Sequence, residues 1–304
     1  MKPDRSYLVC STPRSGSTLV CQALGQSGVA GRPDEYFEAL RHSGRPRRPE
    51  EYFAGVSDTS ILAHLTERVV GDDPPAKSPL WSRTAYDRYL EWVFAAGTTD
   101  NGVFGAKVMW GSLGDFTSLL RNVPAYRELP LAELLPAVFP DLQFVRVVRA
   151  NKVRQAVSLW KAVQTATWSE SQKEAAKDAS PPYKSFLKEH RPGLRFHYRA
   201  IEHLLEQILI QEAYWDPFFE HTRIKPILVL YENFASNYTT STVHLLERLG
   251  LQIPDQAPLE PPLKRQSDAI NDDWVRRYSD IRLGTEFDLV PAATPSEDQR
   301  RSGA

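Results

Sequence analysis

The sequence predicts an α/β fold in which a parallel β-sheet is flanked by helices. Two features carry that expectation. Short apolar runs recur at residues 7–10, 142–149 and 227–231, and each is followed by a stretch of helical periodicity. Strands alternating with helices in this way favour crossover helices covering both faces of one parallel sheet. At 304 residues the chain can bury a sizeable core. It shows no internal repeat, and a single domain is expected over residues 1–283.

Taken in order, Tyr7-Leu8-Val9-Cys10 reads as a buried strand and Leu19-Val20-Cys21-Gln22-Ala23-Leu24 as a helix. Between them lies Ser11-Thr12-Pro13-Arg14-Ser15-Gly16-Ser17-Thr18, a P-loop-like passage from strand to helix. Residues 41–49 read as an irregular basic loop, either solvated or facing an anionic ligand. Residues 50–56 and 61–70 resemble helices, and residues 103–110 a short strand. Residues 142–149 form the clearest second strand. Its helix bears Val153, Ala156, Val157, Trp160 and Val163. Residues 169–188, charged and broken by Ser180-Pro181-Pro182, read as an excursion from the core. A long amphipathic helix is expected over 201–219, a strand over 227–231 and a helix over 239–249 stopped by Gly250. From 284 to 304 the composition predicts a flexible tail.

With 37 basic and 38 acidic residues the net charge is −1, so bulk charge gives no attraction for nucleic acid. Cys10 and Cys21 both sit in apolar runs. A disulfide framework is not suggested, and reduced thiols in a cytoplasmic protein are expected. The first residues show no signal-peptide pattern, and no apolar run approaches the ~20 residues that span a bilayer. The seven histidines are scattered, so no metal is expected.

Chemistry concentrates where such sheets bind ligands, beyond the carboxyl ends of the strands. The loop at 11–18 opens a helix whose first N–H groups are unpaired and carry partial positive charge, which suits an anion. Gly16 permits close approach, and Arg14, Ser15, Ser17 and Thr18 add donors. A Walker loop would need an earlier glycine and a lysine after Gly16, and this loop has neither. The plainer alternative is a helix start capped by Ser15 or Ser17. Arg149 ends its strand and Ser158 lies nine residues later, about two turns into the next helix. The two could grip one phosphate from two sides. Taken singly, each has a blander reading: a surface ion pair for Arg149, and a bond back to its own helix for Ser158. Tyr231-Glu232-Asn233 ends a third strand at the same edge.

Together these residues resemble the sulfotransferases that use 3′-phosphoadenosine 5′-phosphosulfate, and more narrowly the mycobacterial trehalose 2-sulfotransferase family. The resemblance runs from about residue 6 to about 280. It is carried by Tyr7-Leu8-Val9, Arg14-Ser15-Gly16-Ser17-Thr18-Leu19, Gly28-Val29-Ala30-Gly31, Pro33, Glu35 and Phe37. It continues through Gly102-Val103, Gly105, Lys107, Met109-Trp110, Arg149, Gln155-Ala156-Val157-Ser158, Trp160 and Ala162-Val163-Gln164-Thr165. Trp168, Arg265-Gln266, Asp268, Trp274-Val275, Arg277 and Tyr278 complete it.

The resemblance implies that Arg14 to Thr18 hold the 5′-phosphosulfate and that Arg149 and Ser158 hold the 3′-phosphate. It also implies that Glu35 is the general base and that Lys107 and Arg14 stabilise charge on the leaving group. The position where cytosolic sulfotransferases carry a histidine base is Met109, which accepts no proton. The acceptor segment implied is Pro13, Arg32, Pro33, Asp34, Glu35, Tyr36 and Phe37, with Tyr52. Pro13 replaces a glutamine of the trehalose enzyme, Arg32 a glutamate and Tyr52 a tryptophan. The acceptor expected is a carbohydrate or glycolipid-like hydroxyl, trehalose among them, and the assembly a homodimer. Two rivals stay open: a kinase or NTPase-like protein, and a non-catalytic binder of the nucleotide.

Overall fold

The computed structural model describes residues 2–38, 47–66, 86–165, 168, 193–252, 259–260 and 269–288. The chain opens with β1 (Arg5–Ser11) and α1 (Ser17–Gln26). A 3₁₀ turn at Pro49–Phe53, α2 (Thr59–Thr66) and α3 (Tyr86–Gly97) precede β2 (Val103–Met109). Then come α4 (Trp110–Leu120), a short 3₁₀ turn and α5 (Leu131–Val138). The second half runs β3 (Leu142–Val148), α6 (Lys152–Thr165), α7 (Tyr198–Thr222), β4 (Ile227–Leu230), α8 (Tyr231–Ser236), α9 (Tyr238–Arg248) and α10 (Ala269–Asp288).

The four strands make one parallel sheet in the order β2-β1-β3-β4. This is the α/β sheet flanked by helices that the sequence predicts. In register, Val9 stands between Lys107 and Val145. The strand order reverses about β1, so its carboxyl end, with those of β2 and β3, faces the crevice where such sheets take ligands. Period-two alternation divides the core. Tyr7, Val9, Val145 and Val229 pack with α1 and α9 on one face, while Leu8, Cys10, Phe104 and Phe144 pack with α3, α4, α5 and α7 on the other. A third cluster joins α2, α6, α7 and α10 through Trp160, Leu204, Trp274 and Tyr278.

Several boundaries differ from those expected. Arg149 lies one residue beyond β3, and Trp110 and Tyr231 each begin a helix directly at a strand end. Neither of those helix starts has a capping side chain, so the sequence carries no start signal there. The long helix extends over Tyr198–Thr222 rather than 201–219. α3, α4, α5, α8 and α10 were not anticipated. α5 contains Pro136, and α10 is mostly polar, with Trp274 and Tyr278 four residues apart as its buried anchors. α10 carries the chain past 284 to Asp288, and residues 289–304 lie outside the described residues. So do most of the basic loop at 41–46, the stretch 67–70, the excursion at 169–188, and Arg265, Gln266 and Asp268. Among the described residues no helix is long and apolar enough to cross a membrane.

Candidate active site

The loop after β1 bends twice into the left-handed region, at Arg14 (φ 61°) and Gly16 (φ 94°). The Ser15 N–H closes the first bend on the Thr12 carbonyl at 3.3 Å. At Gly16 the backbone lies so close to the Tyr231 ring that a Cβ would stand 2.0 Å from Cδ2. Glycine answers both demands. No side chain caps the start of α1, and the buried Ser15 hydroxyl has no partner among the described residues. The alternative of a self-capped helix start is therefore not what forms. An uncapped helix start and a neighbouring unpartnered hydroxyl are the kinds of donor that anion sites use.

Arg149 approaches the same bend from β3. Its Nη1 donates to the Arg14 carbonyl at 3.1 Å, its guanidinium lies 4.9 Å from the Tyr231 ring centroid, and its buried Nε is unpartnered among the described residues. Burial pulls its pKa below the usual arginine range, against the opposing pull of Tyr231 and Glu232. Ser158 on α6 accepts the Arg14 Nε–H at 3.1 Å, which replaces the expected alternative of a bond to its own helix. The two ends of the predicted anion site thus meet at Arg14.

Glu232, at the start of α8, accepts the N–H groups of Ala150 (3.0 Å) and Asn151 (3.2 Å). Burial raises its pKa, but those two bonds, its own N–H and Arg149 outweigh burial and lower it. A carboxylate here satisfies the N–H groups before α6 and fixes the turn that carries Arg149.

The carboxylate and lysine come together through sheet pairing. Gly31 (φ 69°) lets the chain lie against β2, where a Cβ would stand 2.6 Å from the Gly105 nitrogen. Asp34 then pairs with Ala106, and its carbonyl accepts the Lys107 N–H at 2.9 Å. The next residue, Glu35, forms an ion pair with Lys107 Nζ, which also donates to Thr18 Oγ1 at 3.1 Å. Lys107 is 6% exposed. Burial is the largest influence and opposes its charge, but Glu35, Cys21 and Asp34 together outweigh burial and raise its pKa, so Lys107 is an ammonium at neutral pH. Two residues on, Met109 Sδ accepts the Ser11 hydroxyl at 3.1 Å.

The expected acceptor segment divides. Arg32, Pro33, Asp34 and Glu35 keep surface, although the Arg32 guanidinium is held by the Thr98 carbonyl at 2.7 Å. Tyr36 and Phe37 turn into the core: Phe37 stacks on Phe116 at 4.1 Å, and the Tyr36 hydroxyl returns to the Arg32 carbonyl. They lie in a turn just after Glu35 that carries both rings into the same core cluster. Tyr52 stacks on Trp168 at 5.5 Å, with the Arg47 guanidinium 5.3 Å from its ring. Burial raises the Tyr52 pKa, and its hydroxyl feels the charges of Arg47, Glu38, Glu35 and Arg14. Arg14 Nη1 in turn donates to the Trp168 carbonyl. Pro13 is half-buried, with its carbonyl on Gln155. Sequence reasoning did not assign roles to Arg47, Gln155, Trp168, Glu212, Tyr231 or Glu232. The signals that touch them are the strand-end position of Tyr231-Glu232, the basic loop that holds Arg47, and the family resemblance that includes Gln155 and Trp168.

The family model described as Stf0 sulphotransferase matches residues 6–280. The chain is 34% identical over 280 residues to the trehalose 2-sulfotransferase of Mycolicibacterium smegmatis, covering 90% of this chain and 94% of that one. It is 35% identical over 279 residues to the trehalose 2-sulfotransferase of Mycobacterium tuberculosis, with the same shares covered. It also aligns with the crystal structure of a sulfotransferase from Alicyclobacillus acidocaldarius, with a TM-score of 0.41 and 12% identity over 95% of this chain and 96% of that one. Since the match takes in every element that carries Arg14, Glu35, Lys107, Arg149 and Ser158, the chain belongs to the Stf0 sulphotransferase family and is a sulfotransferase.

Proposed function

We propose that this enzyme transfers a sulfuryl group from 3′-phosphoadenosine 5′-phosphosulfate to a hydroxyl of trehalose or a related carbohydrate or glycolipid-like acceptor. The observation that carries the reading is the buried Lys107, which touches both Glu35 and Thr18 at the mouth of the loop. The residues present fit the donor's charge. Among the described residues Ser15 Oγ and Arg149 Nε are buried donors without acceptors, and the start of α1 has no capping side chain. Arg14, Ser15, Gly16, Ser17 and Thr18 would hold the 5′ end, and Arg149 with Ser158 the 3′-phosphate.

When bound, the donor supplies the sulfuryl group. Glu35 accepts the proton of the acceptor hydroxyl as that oxygen bonds to sulfur. Met109 offers no basic nitrogen at the next inward position of β2, which leaves the base to Glu35. Lys107, Arg14 and the loop N–H groups would stabilise the oxygen that gains negative charge as its bond to sulfur breaks. Sulfuryl transfer of this kind relies on positioning and electrostatics, as phosphoryl transfer does. The stacked Tyr52 and Trp168 beside Arg14 offer aromatic surface to a sugar. Both curated relatives are named for trehalose, which makes that disaccharide the first acceptor to test. A homodimer is the assembly we propose, and the two buried free thiols accord with a cytoplasmic location.

Incubation with ³⁵S-labelled donor and a panel of trehalose, other sugars, glycolipids and small alcohols tests the reading. A labelled trehalose product is expected. Label passing only to a non-carbohydrate acceptor would refute the acceptor, and no transfer to any hydroxyl compound would refute the reaction.

A further inference from the structure

The loop that carries Arg14 is held from behind by a buried polar chain. Gln155 on α6 is fully buried. Its Nε2 donates to Thr12 Oγ1 at 2.9 Å and to the Pro13 carbonyl at 2.7 Å. A carbonyl can only accept, so the amide nitrogen must face Pro13, and this sets the orientation of the amide. Thr12, itself buried, donates a hydrogen bond to Glu212 Oε1 at 3.3 Å, and Glu212 Oε2 pairs with Lys152. The chain therefore links the loop to α6 and on to α7.

This arrangement is not the most stable one available. Gln155 Oε1 is buried without a partner among the described residues. An orphaned buried acceptor is destabilising, and an apolar side chain of similar size would avoid that cost. What the amide supplies is geometry. It pins the two residues just before Arg14, whose φ of 61° is one an arginine keeps only when held. One turn further along α6, Ser158 takes the Arg14 Nε–H. The helix thus grips the backbone and the side chain of one bend.

We propose that Gln155, with Thr12 and Glu212 behind it, is a positioning residue of the anion loop. It sets the N–H groups of residues 15–18 for the 5′ end of the donor without touching the donor itself. This rests on the assignment of the loop to that end, made above. Thr12→Val and Gln155→Leu break the chain at two points, while Thr12→Ser keeps the hydroxyl. Calorimetric titration with adenosine 5′-monophosphate and adenosine 3′-monophosphate reads the two ends of the site separately, with thermal unfolding run in parallel. In both breaking variants the Kd for the 5′-nucleotide is expected to rise about tenfold, with the 3′-nucleotide within about twofold, and Thr12→Ser is expected to bind as wild type. Equal weakening of both nucleotides, or a lower unfolding temperature with an unchanged 5′ Kd, overturns the proposal. If Gln155→Leu does not fold, Thr12→Val against Thr12→Ser decides. If the wild type fails to bind adenosine 3′,5′-bisphosphate more tightly than either monophosphate, the loop assignment itself falls, which is a separate outcome.

Discussion

Replacing Gly16 by alanine tests whether the anion loop and the end of β4 are built as one piece. Gly16 sits at φ 94°, and its Cβ would stand 2.0 Å from Tyr231 Cδ2. A left-handed backbone costs an L-residue roughly 1–2 kcal/mol. The ring must also move, and forcing extra volume into a packed site costs about 1–3 kcal/mol. Moving it disturbs the Arg149 guanidinium, 4.9 Å from the ring centroid, a contact worth about 0.5–1 kcal/mol. The expected destabilisation is roughly 2.5–6 kcal/mol, which for a chain of this size lowers Tm by about 4–9 °C. Thermal unfolding followed by far-UV circular dichroism measures it. Tyr231→Ala, alone and combined with Gly16→Ala, completes a double-mutant cycle. Removing the ring is expected to recover the packing part of the loss and leave the backbone part. A Gly16→Ala protein melting within about 2 °C of wild type, or a cycle showing no coupling, would refute the reasoning.

Glu35→Gln is expected to lower kcat about a hundredfold or more, with nucleotide binding little changed, because the amide cannot take the acceptor's proton. Steady-state rates on protein shown to be folded check this, and near-normal turnover would remove Glu35 from the role of base. Glu232 carries a lowered pKa, so its contribution to stability is full above its ordinary value of 4.5 and is lost as pH falls from there through the folded value. Urea midpoints measured through that acid window should fall less steeply for Glu232→Gln than for wild type. Parallel curves would show that the carboxylate does not hold the Arg149 turn.

Much of the fold was legible because its signals are local. The runs that became β1, β3 and β4 are short, apolar and followed by helices, and each was recognised within two residues of its bounds. The loop was legible for the same reason, since strand, hydroxyl-rich turn and helix are contiguous. The placement of Arg149 beside a strand end and of Ser158 on the next helix was legible because both are defined by sequence spacing. The helices that escaped notice lack such signals: α4 and α8 start without a capping side chain, and α5 holds a proline.

By itself, then, the sequence determined a parallel sheet with a hydroxyl-rich turn after its first strand, an arginine just past the end of another strand with Ser158 on the helix that follows, and the resemblance to sulfotransferases. Tertiary structure alone decided how these become one site. Glu35 meets Lys107 because Asp34 pairs with Ala106 across 72 residues of chain, a register that no local pattern specifies. Tyr36 and Phe37 are buried because a turn after Glu35 carries both rings into the core cluster around Phe104 and Phe116. The Arg14 bend is held by Gln155, Ser158, Arg149 and the Trp168 carbonyl, all more than 100 residues away. Propensity and periodicity act over a few residues, whereas a left-handed arginine and a buried ammonium persist only where distant segments converge to satisfy them.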